Sequence, residues 1–80
     1  MNTQEAIAKR ITQLCTERQI TINRLATISG IPRSTVKNIF YGKSKNTGII
    51  TLKKICDGLE ITLPDFFDTD ELRSLEQEIQ

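Results

Sequence analysis

The chain has 80 residues, 38% hydrophobic and 26% charged, with a formal net charge of +1, the composition of a single ordinary globular domain. It has no histidine and only two cysteines, Cys15 and Cys56; this excludes a histidine-assisted nucleophile and a complete tetrahedral zinc site within the chain, so neither an enzyme nor a cofactor is expected. The apolar runs are too short to span a bilayer, and the opening MNTQEAIAKR lacks the basic and apolar regions of a secretory signal, which makes the cytoplasm the expected location.

Ile7, Ile11, Leu14 and Cys15 stand at i, i+4, i+7 and i+8, which predicts an amphipathic helix over Gln4–Arg18. Thr21 is a natural N-cap for a second helix, whose inner face carries Ile22, Leu25, Ala26 and Ser29. Gly30 ends that helix after about two turns, because glycine adopts a positive φ at little cost. A third helix is predicted over Pro32–Tyr41, with Pro32 in its first turn and Val36, Ile39 and Phe40 facing inward. Gly42 closes it and opens the polar loop GKSKNTG, Gly42–Gly48.

Thr51 can cap a fourth helix over Leu52–Leu59, with Leu52, Ile55, Cys56 and Leu59 inward. Thr62 and Asp65 resemble a capping box, and Pro64 suits the first turn of a fifth helix burying Leu63, Phe66 and Phe67. In the tail, Asp68–Gln80, Leu72, Leu75 and Ile79 fall at i, i+3 and i+7, the spacing of a sixth helix that packs on the domain, pairs with a second copy or binds a regulator protein. Cys15 and Cys56 both lie on apolar faces, as buried free thiols would, although their bridging is a question of geometry. No alternation of period two marks a strand.

The near-zero net charge conceals a strong asymmetry. Residues 18–54 carry Arg18, Arg24, Arg33, Lys37, Lys43, Lys45, Lys53 and Lys54 with no acid. Residues 55–80 carry Asp57, Glu60, Asp65, Asp68, Asp70, Glu71, Glu76 and Glu78 against Arg73 alone. A basic middle beside an acidic end suggests a polyanion partner for the first and a position remote from it for the second.

Two short helices joined through one glycine cannot run antiparallel and must cross steeply. Ala26 supplies the small residue for the crossing, and Val36 and Ile39 pin the second helix to the core. This is a helix-turn-helix arrangement, which leaves the outer side of the later helix free for a groove.

The run from ITQLCTERQITINRLATISGIPRSTVKNIFYGKSKNTG through TLKKICDGL to TLPDFFD resembles the Cro-like, XRE-type helix-turn-helix domain of bacterial and phage repressors, over about residues 7–68. The resemblance implies an all-α, five-helix, lambda-repressor-like fold over residues 1–68, followed by an acidic tail, 69–80, with a short helix. It also implies a transcriptional regulator, a repressor in the first instance, that binds double-stranded operator DNA as a homodimer on near-palindromic sites. Three departures stand out. Ile22 takes the place of a polar phosphate-contacting residue. Glu60 replaces the glycine common after the fourth helix, so the chain must turn there at a conformational cost. Asn46-Thr47 stands where similar loops read Asn-Pro, which predicts a more mobile loop.

Removing the inward residues from the third helix leaves Arg33, Ser34, Lys37, Asn38 and Tyr41 outside. Arg33 can bond two acceptors of guanine, Asn38 can pair with adenine, and Lys37 reaches a guanine edge or a phosphate. The resemblance implies base contacts at Arg33, Ser34, Lys37 and Asn38, the same face. Phosphate contacts are expected from Asn23, Arg24, Tyr41, Lys43, Lys45 and Asn46, with Ser34 and Thr35 touching either a phosphate or a thymine methyl. A protein-binding module on the same fold, such as an antitoxin or anti-repressor, is the rival reading. The acid-free middle disfavours it, because a protein partner requires no such stretch.

Overall fold

Asn2 opens the first helix by accepting the Glu5 amide on its side-chain oxygen at 2.8 Å. The computed structural model describes residues 1–79, and these form six helices with no strand among the described residues. They are α1 (Thr3–Arg18), α2 (Ile22–Ser29), α3 (Arg33–Phe40), α4 (Ile49–Gly58), α5 (Leu63–Phe67) and α6 (Asp70–Arg73). The all-helical reading of the sequence is therefore correct. Thr21, Thr62 and Thr69 cap α2, α5 and α6, each accepting the backbone N–H three residues on, which satisfies one of the free donors at a helix start.

One closing turn recurs three times. Gln19, Gly30 and Glu60 adopt the left-handed conformation at φ 55, 66 and 57. In each case the following isoleucine (Ile20, Ile31 or Ile61) donates its N–H to the carbonyl five residues back, at 2.9, 3.2 and 2.9 Å. These are Schellman caps, and their isoleucines pack against the core, the apolar contact that accompanies the motif. Glycine adopts this conformation freely, whereas Gln19 and Glu60 hold it at a cost of about 1 kcal/mol each. The turn foreseen at Glu60 is present; that at Gln19 left no mark in the sequence.

The buried cluster draws on every helix except the last: Ile7, Ile11, Leu14 and Cys15 from α1, Leu25 and Ala26 from α2, Val36 and Ile39 from α3, Leu52, Ile55 and Cys56 from α4, and Phe66 from α5. Leu59, just beyond α4, completes it. α2 lies at the centre, packed on both α3 and α4, while α1 holds α3 and α6 and α5 rests on α4. Cys15 and Cys56 are free and buried. Burial pushes both thiols up, opposed by Arg18 at Cys15 and reinforced by Asp57 at Cys56.

Several boundaries differ from expectation. Pro32 is the N-cap of α3, extended at ψ 142, and Tyr41 follows the helix as its C-cap, so both fall just outside it. α4 begins at Ile49, capped by Gly48, and Thr51 lies within it. Periodicity marks only the part of a helix that faces the core, and Ile49 and Ile50 are exposed. Phe67 is 36% exposed where burial was expected, because the five-residue α5 presents a single turn to the core and Phe66 occupies it.

The tail helix stops at Arg73, well short of Ile79, which is 86% exposed. Leu72 finds cover against the core and Leu75 is half-buried. One covered turn does not sustain a helix of three turns, since short helices in water depend on packing. Ser74 also bonds back to the Asp70 carbonyl through its hydroxyl, offering the backbone an alternative.

Arg10 ties the two ends of the domain together. Its Nε donates to the Phe66 carbonyl at 2.8 Å and its Nη2 to the Asp65 carbonyl at 3.1 Å, with the guanidinium 6.0 Å from the centre of the Phe66 ring. The Phe66 carbonyl has no partner within α5, while the Asp65 carbonyl also accepts the amide of the cap residue Asp68 at 3.3 Å. A lysine keeps the charge but lacks the planar fork. Arg10→Lys is therefore expected to cost about 1.5 kcal/mol in urea unfolding, the contribution of one hydrogen bond to a charged group. An unchanged midpoint would show that the fork contributes nothing.

A candidate nucleic-acid interface

The second and third helices meet at Gly30, whose left-handed φ turns the chain within one residue before Pro32 opens α3. Val36 and Ile39, 0% and 2% exposed, face α1 and α2. The helical period then turns Arg33, Ser34, Lys37 and Asn38 to solvent, and all four are exposed. Tyr41, 68% exposed, continues this side beyond the helix end. Thr35 and Phe40 are half-buried at its margin.

Around α3 stand the residues expected to meet phosphate. Asn23 and Arg24 are exposed in the first turn of α2, and Asn23 reaches α3 directly, accepting a long hydrogen bond of 3.4 Å from Arg33 Nη1. On the other flank the Asn38 carbonyl accepts the amides of Lys43 and Ser44 at 2.9 and 3.0 Å. Gly42, at φ 75, makes that reversal of the chain possible. Lys43, Lys45 and Asn46 are all exposed. Lys45 and Asn46 line a cleft whose walls also include the start of α1.

Sequence reasoning missed the residue that anchors this loop. Gln4 on α1 grips Thr47 with both ends of its amide: Oε1 accepts the Thr47 N–H and Nε2 donates to Thr47 Oγ1, each at 2.8 Å. The loop expected to be mobile is therefore fastened at one point. A polar residue in the first turn of a helix carries no signal that it will reach a loop far along the chain.

The charge pattern survives folding in part: Glu78 of the acidic tail, expected to lie remote from the basic middle, instead lines the same cleft as Lys45 and Asn46, because the chain after α6 returns along α1. Among the described residues, the only ion pair made by a cation of residues 18–54 is Lys53 with Asp57 on α4. The tail satisfies most of its acids elsewhere: Arg73 pairs with Asp68 and Asp70, and Lys9 on α1 pairs with Glu71 at 3.0 Å. The outer side of α3 is thus exposed, acid-free and flanked by unneutralised lysine and arginine. Guanidinium, ammonium and carboxamide groups on one short rod suit the acceptor-rich edges of bases and the oxygens of phosphates. Among the described residues, no helix is long and apolar enough to cross a membrane, and no group of three or more metal-binding side chains comes together.

Comparison with known proteins agrees with this geometry. A family model described as a Cro/C1-type HTH DNA-binding domain matches residues 10–71. A solved structure, the crystal structure of the prophage Lp1 protein 11, aligns with a TM-score of 0.80 and 38% identity, covering 94% of this chain and 100% of that one. No curated protein matches.

Proposed function

Because the chain belongs to the Cro/C1-type helix-turn-helix family of DNA-binding domains, we propose that it is a sequence-specific regulator of transcription, a repressor in the first instance. In this reading α3 docks in the major groove of operator DNA. Residues 1–68 form the DNA-binding unit and residues 69–80 an acidic appendage. The observation that carries the reading is the exposed, acid-free row Arg33, Ser34, Lys37 and Asn38, set directly opposite the buried Val36 and Ile39.

Arg33, at the start of the helix, reads a guanine through two parallel hydrogen bonds, and Asn38 reads an adenine. Lys37 meets a guanine edge or a phosphate. Asn23, Arg24, Thr35, Tyr41, Lys43, Lys45 and Asn46 hold the sugar-phosphate backbone on either side, fixing register without reading sequence. The 3.4 Å hydrogen bond from Arg33 to Asn23 is long and exposed, so a base or phosphate displaces it readily. A second copy bound across a near-palindromic site doubles the contacts.

Selection of bound duplexes from a random pool tests this directly, since it returns the site and its symmetry together. On the selected site, Arg33→Ala is expected to cost about 1–3 kcal/mol of binding and to relax preference at one base pair. Lys45→Ala should weaken matched and scrambled duplexes alike and flatten the salt dependence. Equal losses from Arg33→Ala on every sequence would remove Arg33 from the readers. If the wild-type chain selects no duplex and its binding does not vary with salt, the protein-binding alternative takes over.

A further inference from the structure

After α6 the chain runs along α1 toward its start: Glu71 pairs with Lys9, and seven residues later Thr3 Oγ1 donates a hydrogen bond to Glu78 Oε2. That contact lies in an open cleft of about 560 Å³ whose walls include Asn2, Thr3, Lys45, Asn46 and Glu78. Two of these, Lys45 and Asn46, belong to the loop assigned above to phosphate. Among the described residues, Glu76 and Glu78 are the tail carboxylates outside any ion pair, since Arg73 and Lys9 engage the others.

We propose that the acidic tail is an intramolecular competitor for the backbone phosphate held by Lys45 and Asn46, with the Glu78 carboxylate occupying the cleft until a duplex displaces it. This rests on the DNA-binding reading and adds a control to it. The Thr3 hydroxyl holds the Glu78 carboxylate in the cleft that Lys45 and Asn46 also line, and its negative charge repels a phosphate brought to those two residues, so one must leave before the other binds. Displacement is easy, because residues 75–79 form no helix and only Leu75 is half-buried. The tail therefore lowers affinity for every sequence alike and leaves base preference to α3.

The test uses the full chain and its Glu78→Gln variant, with a duplex of scrambled sequence as the probe and anisotropy as the readout. The variant is expected to bind about two- to fivefold tighter at low salt, the range of an exposed charge contact, with the gain fading as salt screens it. Glu60→Gln, which changes net charge equally in the turn after α4, is expected to gain less. In the DNA-free protein, Glu78→Gln should also shift the Thr3 amide resonance. Equal affinity of the variant and the wild type overturns the proposal, as does an unmoved Thr3 resonance. An equal gain from Glu60→Gln also overturns it, reducing the effect to net charge. If neither protein binds any duplex, the DNA-binding reading itself falls.

Discussion

Phe66→Ala is expected to cost about 3–5 kcal/mol, the usual loss when a fully buried phenylalanine is truncated and its neighbours cannot close the gap. The side chain is completely buried. Its ring meets Phe67 edge-on at 5.1 Å and lies beneath the Arg10 guanidinium. α5 has only five residues and no stability of its own, so Phe66 is the peg that holds it against α4. A domain of this length has a total stability of about 4–12 kcal/mol, so the variant stands close to unfolding at room temperature. Equilibrium urea unfolding followed by circular dichroism measures the loss. A cost below about 1 kcal/mol would mean that the site collapses readily around the missing ring. Phe66→Leu, which keeps most of the volume, should cost far less.

Gly58→Val is expected to destabilise the fold by about 3 kcal/mol, at the upper end of the range for overpacking. Two opposing effects set the sign. Glycine in a helix is about 1 kcal/mol worse than alanine, so adding a side chain near the end of α4 would by itself help. Space decides otherwise. A Cβ at Gly58 would stand 2.6 Å from Ser29 Oγ and 2.9 Å from the Ile28 carbonyl oxygen, both on α2. The second is backbone and cannot rotate away, so α4 must move off the helix at the centre of the domain. The Ser29 hydroxyl is itself buried and without a partner, so Ser29→Ala should be tolerated in the wild type and should relieve only part of the strain in the double variant. Thermal unfolding of the single and double variants checks this, because a shift of 4–8 °C accompanies each kcal/mol in a domain of roughly this size. A stabilised Gly58→Val would show that the two helices are free to separate.

The close approach at Gly58 also shows where local reading of the chain ends. Ala26 was expected to supply the tight helix contact, and it is buried at the core. The helix pair that leaves no room for a Cβ, however, is α2 with α4, and nothing near Gly58 in the sequence distinguishes it from an ordinary helix-ending glycine. The left-handed turn at Glu60 was foreseen from the missing glycine, whereas the same turn at Gln19 was not. Gln19 becomes identifiable only once three isoleucines are seen closing three helices in the same way.

The exposed outer side of α3 was the most legible part of the candidate site. Val36 and Ile39 are apolar, the helical period fixes which residues oppose them, and Gly30 with Pro32 bounds the helix. From these local rules the sequence by itself determined the order of the helices, the caps at Thr21 and Thr62, most of the buried positions of α1 to α4 and the outward row of α3, but not the caps of α4 and α6. Contacts between residues distant along the chain were decided only by the tertiary structure. These are the anchoring of the lysine loop by Gln4, the capping of α5 by Arg10, the early start of α4, and the early end of the tail helix with the non-helical run that then brings Glu78 to Thr3. Their common cause is that a polar side chain's partner, and the cover available to a marginal turn of helix, depend on which surfaces folding brings together. No periodicity or capping residue encodes that.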